Sequence, residues 1–265
     1  MSDYCLEDQE LIKRLEEGEK ITSISQAGKT YRKLVSGLLL QFADSELAAS
    51  ASYAESVKLG PTLDERIDVA TIARDKMLTG KRTYELLSQF GINLDKYFAC
   101  HTWEAKVSRY TDLGYSRASS DKRLNALLYP LEGWADLSVF TYLMATMSVV
   151  QLEDFLDSSY QPWSQLCGDF LVQEKAHRDM ALNFITRLLD NQSCRLSVQS
   201  SLEYWYQRVA HSFGPHDSEG NKQFRAFLLK SRKNQEARVI WNETIKRQLE
   251  ELGLASGCYL QSIGT

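Results

Sequence analysis

A carboxylate and an imidazole stand three residues apart in the stretch VQEKAH, residues 172–177. At this spacing Glu174 and His177 share one face of a helix, with their Cβ atoms about 5–6 Å apart. The residues around them on that face are apolar, so we expect the pair to be buried. A buried Glu-x-x-His pair is the arrangement with which helix bundles hold iron or manganese. A lone buried histidine is more often a hydrogen-bonded core residue than a metal ligand. Whether this pair binds metal therefore depends on whether the sequence supplies the other ligands.

Two further predicted helices each carry one acidic residue on an otherwise apolar face. Glu46 lies one turn after Phe42, and Asp136 lies one turn before Phe140. A lone buried carboxylate is costly unless it is paired or bound to a metal. These carboxylates, together with Glu174 and the histidine, therefore predict one shared polar site inside a bundle. Three unrelated polar contacts are the alternative interpretation.

The second predicted helix breaks the pattern. A complete dinuclear site needs a second Glu-x-x-His pair there, but the matching face carries Lys76 and Thr79. No histidine occurs in the first 100 residues, so a shifted register cannot supply the missing ligand. One divalent ion and the Lys76 ammonium would balance the three carboxylates, whereas without metal Lys76 could pair with Glu46 or Glu174 and a protonated His177 with Asp136.

Helices are the elements that must position these residues. The chain has only 14 Gly and 4 Pro among 265 residues and many Leu, Ala, Glu and Lys, which predicts a mostly α protein. Thr62 and Glu65 form a predicted capping box at the start of the second core helix, and Gly91 is its predicted C-cap. We expect a lead-in helix within residues 1–25 and core helices near 30–57, 63–89, 131–157 and 163–190.

Two helix pairs joined by a long crossover are the layout of ferritin-like bundles. The fold class we predict is therefore all-α, a ferritin-like four-helix bundle with additional C-terminal helices. No linker divides the chain, so we expect a single domain over residues 1–265, with an extension at about 198–252.

Composition and charge exclude several classes of protein. The net charge of -4 is unlike that of a nucleic-acid-binding domain. We find no apolar run near the roughly 18–20 residues that span a membrane, and no signal peptide. The odd number of cysteines and the absence of a CxxC spacing indicate free thiols of a cytoplasmic protein. They are Cys5, Cys100, Cys167, Cys194 and Cys258.

Two surface hypotheses come from local composition. The stretch 106–123 is basic and is expected to be a solvated face, with contact to the phosphates of a CoA ester as the alternative. The aromatic residues of the C-terminal region are expected to pack internally, with a docking surface for a sister subunit as the alternative. They are Tyr204, Trp205, Tyr206 and Phe213.

From about residue 30 to 252 the chain resembles a known family, the catalytic (PaaA-like) subunits of phenylacetyl-CoA epoxidase, which are ferritin-like di-iron oxygenases. The YP…WAD and FGP.D patterns are not general features of helix bundles, so the resemblance is specific. The stretches that carry it are TYRKL (30–34), ADSEL (43–47), GPTL (60–63), YPLEGWADLSV (129–139), SSYQPW (158–163), QEKAH (173–177) and FGPHD (213–217).

The resemblance implies a set of metal ligands. In that family two irons are bound by the Glu of SE, by the Glu and His of DExxH, by the Asp of WAD and by the Glu and His of a second ExxH. Asp75 matches the Asp of DExxH, while Lys76 and Thr79 replace the two ligands of that motif. The metal-ligand residues that remain are Glu46, Asp136, Glu174 and His177.

Two functions follow as expectations from the resemblance. In the first, the chain is a member of the multicomponent aryl-CoA monooxygenases of phenylacetate catabolism, with at most one iron ion, held by Asp136, Glu174 and His177. A reductase and an acyl-CoA substrate would then be its partners. In the second, it is a non-catalytic scaffold or partner subunit without metal, paired with a homologous subunit or with itself. Lys76 would then pair with Glu46 or Glu174, and His177 with Asp136. A carbamylated Lys76, restoring a bridging carboxylate, is a third alternative.

Overall fold

The structure is a computed structural model that describes residues 4–116 and 121–254. Within these ranges the chain forms α-helices and short 3-10 turns without any β-strand, which confirms the predicted all-α class. The helices are α1 (Leu6–Glu16), α2 (Lys29–Ser56), α3 (Leu63–Leu87), α4 (Leu94–Ala99), α5 (Trp134–Phe155), α6 (Gln161–Leu189), α7 (Arg195–Ala210), α8 (Glu219–Ala226) and α9 (Asn234–Glu251).

Two helix pairs form the centre of the fold. α2 packs along α3, and α5 packs along α6. The turns within each pair are short, whereas the connection from α3 to α5 is long and its described residues contain α4 and two short 3-10 turns. This is the predicted ferritin-like layout. α7 and α9 then cover α5.

The ends of α3 follow from its sequence. The Thr62 hydroxyl accepts from the Glu65 N–H, and the Glu65 carboxylate accepts from the Thr62 N–H at 3.0 Å, which confirms the capping box. After α3 the chain makes one 3-10 turn and ends it at Gly91, whose φ of 74° lies in the left-handed region. The capping box therefore fixes where α3 begins, whereas the C-cap of α3 is Ser88 and Gly91 ends the 3-10 turn that follows, which corrects the predicted C-cap.

α5 is the most apolar element of the fold. By length and composition it could cross a membrane, which corrects the expectation that no segment of the chain is so apolar. However, 83% of its most apolar 18-residue stretch is buried inside the protein. A helix that is apolar on all sides is typical of the centre of a large core, and α6, α7 and α9 surround this one.

The crossover is held by buried polar contacts. Asp44 of α2 is fully buried and accepts hydrogen bonds from the hydroxyls of Tyr84 and Tyr97, the latter at 2.5 Å. Lys106 donates to the Ser52 hydroxyl at 2.5 Å and to the Leu127 carbonyl at 2.8 Å. The crossover therefore lies against α2 through defined hydrogen bonds.

Of the basic residues of the crossover, Lys122 is exposed as expected, but three others do not form a solvated face. Besides Lys106, Arg109 is bonded to Asp136, and Arg123 is bonded to Asp121 and to the carbonyl of Trp103. The side chains of Arg109 and Arg123 are only 17% and 11% exposed. The expectation of a solvated face is wrong for these three residues because each has partners inside the fold. Arg117 lies outside the described residues.

The aromatic residues near the C-terminus pack internally, as expected. Trp205, Tyr206 and Phe213 are buried, so the alternative of an aromatic docking surface is wrong. Tyr204 is partly buried and stacks with Arg109 and Arg208, whose guanidinium carbons lie 3.7 and 3.8 Å from its ring centre. Four of the five cysteines fall within the described residues, and all four are free thiols as predicted. They are Cys5, Cys100, Cys167 and Cys194.

The contacts of Asp44 generate a first prediction. An Asp44→Asn substitution places an NH2 group against two tyrosine hydroxyls and removes a charge-assisted acceptor, so the free energy of unfolding should fall by about 1–3 kcal/mol. Asp157→Asn, at an exposed position, is the matched control and should stay within about 0.5 kcal/mol of the parent. Urea denaturation measures both. Equal stabilities of the two variants would show that Asp44 does not hold the crossover.

Candidate functional site

Four of the predicted site residues meet inside the bundle. Lys76 of α3 donates from Nζ to Glu46 Oε1 of α2 at 3.2 Å and to Glu174 Oε1 of α6 at 2.6 Å. His177 lies one turn after Glu174, and its Nδ1 is 3.5 Å from Glu174 Oε1. All four side chains are buried. We call Glu46, Lys76, Glu174 and His177 the Lys76 cluster.

The second partner of His177 differs from the expected one. Its Nε2 lies 3.4 Å from Asp75 Oδ2, so the expected pairing with Asp136 is wrong. Asp75 belongs to α3, directly before Lys76, and is also bonded to Arg74. The carboxylate of the DKMLT stretch, residues 75–79, therefore contacts the histidine of the α6 pair. The resemblance marked Asp75 as part of the motif but gave no indication of this contact.

Asp136 lies in a separate hydrogen-bonding network. Arg109 donates to both of its oxygens, at 2.7 and 2.9 Å, and Trp205 Nε1 donates to Oδ1 at 2.6 Å. The backbone N–H of Glu132 donates to Oδ2 at 3.0 Å. Among the described residues, no hydrogen bond or ion pair joins Asp136 to the Lys76 cluster. The side chain is thus held at the start of α5 by the crossover and α7.

Thr79 occupies the position of a missing histidine ligand. It lies one turn after Lys76 on α3 and is buried. Its hydroxyl donates to Gln173 Oε1 of α6 at 3.2 Å, and its own carbonyl accepts from Thr83. The position therefore contributes a contact between α3 and α6, and Gln173 is a residue of this region that the sequence alone did not single out.

The charges of the cluster are set by burial and by Lys76. Burial disfavours the charged form of Lys76, but the carboxylates of Glu174 and Glu46 outweigh it and raise the pKa of this ammonium. Burial likewise opposes ionisation of Glu174, yet Lys76 and His177 lower its pKa to about 2. For Glu46 burial dominates and raises the pKa to about 7. At neutral pH the cluster is therefore a Lys76–Glu174 ion pair with Glu46 titrating beside it.

A cavity of about 410 Å³ opens beside the cluster. All four cluster residues line it, and its walls continue to the loop after α7. In the described part of the chain, three buried atoms of the cluster have no hydrogen-bond partner: Glu46 Oε2, Glu174 Oε2 and His177 Nδ1. The cluster therefore has polar atoms that could bond to a molecule in the cavity.

These residues do not fit a dinuclear iron centre. Lys76 and Thr79 supply neither of the two ligands that the second helix would provide. The Lys76 ammonium lies between the carboxylates of Glu46 and Glu174, where it would repel a divalent cation. Within residues 4–116 and 121–254, no group of three or more His, Cys, Asp or Glu side chains is arranged to hold a metal ion.

The fold and the cluster together define an all-α protein of the ferritin-like type, in which an ammonium pairs with two inward carboxylates. The chain belongs to the family of phenylacetic acid catabolic proteins, whose sequence profile matches residues 8–257. This match confirms the resemblance seen in the sequence. No curated protein matches the chain.

The raised pKa of Glu46 gives a pH-dependent prediction. Between the ordinary pKa of 4.5 and the folded-state pKa of about 7, Glu46 binds more protons in the folded state than in the unfolded state. Its contribution to the free energy of unfolding therefore falls as the pH rises through this window. Glu46→Gln removes this titration. The free energy of unfolding of the variant, relative to that of the parent, should therefore rise by about 1–3 kcal/mol from pH 4.5 to pH 8. Urea denaturation at both pH values measures the gain, and a constant or shrinking difference would contradict it.

Removing the ammonium tests the cluster itself. Lys76→Met leaves two buried carboxylates without their counter-charge and should lower the free energy of unfolding by about 3–5 kcal/mol in metal-free buffer. Lys81→Met, on the exposed side of the same helix, is the matched control and should change it by less than about 1 kcal/mol.

A rescue experiment separates charge from packing. Adding Glu46→Gln and Glu174→Gln to Lys76→Met removes the uncompensated charges and should recover at least half of the lost stability. If the triple variant is no more stable than Lys76→Met, the loss reflects the altered volume at residue 76 rather than its charge.

Proposed function

We propose that the protein is a metal-free, non-catalytic member of the phenylacetic acid catabolic protein family, acting as the partner of a homologous catalytic subunit. The observation that carries this proposal is the pair of hydrogen bonds from Lys76 Nζ to Glu46 and Glu174. In the resembled oxygenases both carboxylates bind iron. Here a side chain of the same protein supplies the positive charge between them.

Charge balance supports a site that works without metal. A metal ion bridging Glu46 and Glu174 would have to displace the Lys76 ammonium or take its proton. The two carboxylates raise the pKa of Lys76, so loss of that proton is disfavoured. They also argue against a carbamylated Lys76, since modification would place a third carboxylate next to two others. The ammonium is the form that suits this pocket.

A mononuclear iron site is the weaker candidate. It would require Asp136 to join Glu174 and His177, but both oxygens of Asp136 already accept hydrogen bonds from Arg109, Trp205 and the backbone. Releasing it would leave the guanidinium of Arg109, only 17% exposed, without its main partner. Iron, electrons from a reductase and turnover of an acyl-CoA therefore belong, in this proposal, to the catalytic subunit. We also assign this role to the cytoplasm, in keeping with a catabolic function.

An exposed apolar stripe on α3 supports a protein partner. Leu63 and Ile67, 73% and 54% exposed, lie one turn apart, and Leu78, 46% exposed, follows on the same face beyond Arg74. Apolar side chains grouped on a surface are typical of protein interaction sites. The stripe lies on the opposite side of α3 from the buried Lys76, so a subunit bound there would leave the cluster intact.

The iron content of the chain tests the proposal. After anaerobic reconstitution with ferrous iron and desalting, the parent should retain well under one iron per chain, because Lys76 and Thr79 replace two of the ligands and the Lys76 ammonium lies between two of the others. The Lys76→Glu/Thr79→His variant restores both ligands and should retain more iron than the parent. Lys81→Glu is the matched control for the added charge and should behave as the parent. Stoichiometric iron in the parent, measured by elemental analysis, would overturn the metal-free function.

A further inference from the structure

We propose that the cavity beside the Lys76 cluster binds a small organic cation, namely a primary ammonium group on an aromatic or aliphatic body. The observation behind this proposal is a set of unpaired, buried acceptor atoms on residues that line a cavity together with aromatic and aliphatic side chains. Binding of such a molecule requires neither a metal nor a partner subunit, so this inference goes beyond the function proposed above.

The two glutamates that line the cavity can accept a hydrogen bond from a ligand. Lys76 bonds to the Oε1 atoms of Glu46 and Glu174, while the Oε2 atom of each has no partner in the described part of the protein. A carboxylate oxygen can only accept hydrogen bonds. An unmet buried acceptor costs about 1–3 kcal/mol, which a donor on a ligand would recover. An ammonium group carries three donors and suits two such oxygens.

The local charge favours a cation over an anion. Three carboxylates meet here, Asp75, Glu46 and Glu174, against the Lys76 ammonium and the largely exposed guanidinium of Arg74. Apart from the imidazole of His177, three acidic side chains face two basic ones, which leaves one acidic group in excess. A ligand ammonium would balance it. A carboxylic acid could use only the third N–H of Lys76 and would add to the excess.

The apolar residues that line the cavity indicate what kind of ligand body would fit. Phe42, Phe140 and Met144 line the cavity, and its volume of about 410 Å³ lies within the range of small-molecule sites. Asn125 and Ser212 also line the cavity, and their Oδ1 and Oγ atoms are buried and unpaired in the described part of the protein, so a second donor could be accepted there. A phenyl or short alkyl body is therefore suited to this cavity.

Three probes with one body separate the alternatives. Phenethylamine, 2-phenylethanol and phenylacetate share the phenylethyl body and differ only in the head group. Isothermal titration of the EDTA-treated chain at pH 8 should rank the amine first, with at least 10-fold tighter binding than phenylacetate. Equal or tighter binding of phenylacetate would overturn the inference, and so would the absence of binding of the amine at millimolar concentration.

Two variants locate the site. Glu46→Gln should weaken binding of phenethylamine at least 10-fold and change that of 2-phenylethanol by less than 3-fold. Glu203→Gln, at an exposed position on α7, is the matched control and should leave both unchanged. Equal losses in the two variants would overturn the site. If Glu46→Gln does not fold, the ranking of the probes on the parent decides alone. Because these titrations use the isolated, metal-free chain, their failure would leave the iron test of the proposed function unaffected.

Discussion

The fold and the proposed role both depend on one buried interaction, the contact of the Lys76 ammonium with the carboxylates of Glu46 and Glu174. It joins α2, α3 and α6 at a depth where each charge alone would be strongly unfavourable. Because the three groups compensate one another, both inward carboxylates have a partner within the chain. The same contact leaves one oxygen of each carboxylate without a hydrogen-bond partner in the described part of the protein. These two acceptor atoms distinguish the adjoining cavity from an ordinary gap in a hydrophobic core.

Two other buried carboxylates show how inward polar residues serve structure. Asp136 accepts from Arg109 and Trp205 and so connects α5 with the crossover and α7. Asp44 accepts from two tyrosine hydroxyls and fixes the crossover on α2. Each has its partners within the chain, as buried carboxylates require. A carboxylate that matches a metal ligand in sequence can therefore be retained because the surrounding helices depend on it.

Much of the fold could be predicted because helices have local rules. The capping box of Thr62 and Glu65 and the apolar periodicity placed α3, and α3 in turn placed Lys76 on the inward face. The same periodicity brought Glu46 and Glu174 to the cluster. The partners of His177 and Asp136 could not be predicted. Asp75 of α3 contacts His177 of α6, a pairing between helices that the spacing within one helix does not reveal. Arg109, the partner of Asp136, lies in the crossover, which has no helical periodicity. The apolar character of α5 was underestimated because its scattered Thr and Ser residues interrupt every uniform run, although their hydroxyls bond back to the helix.

The charge of Lys76 is the most direct test of the account. In protein labelled with ¹³C and ¹⁵N at lysine, the resonances of Lys76 can be assigned by comparison with Lys76→Arg and followed as the pH rises. The account predicts that Lys76 remains an ammonium at pH 10.5, roughly the ordinary pKa of lysine, with the other lysine resonances serving as internal references. A Lys76 that loses its proton together with them or earlier, or that shows the carbonyl resonance of a carbamate, would contradict it.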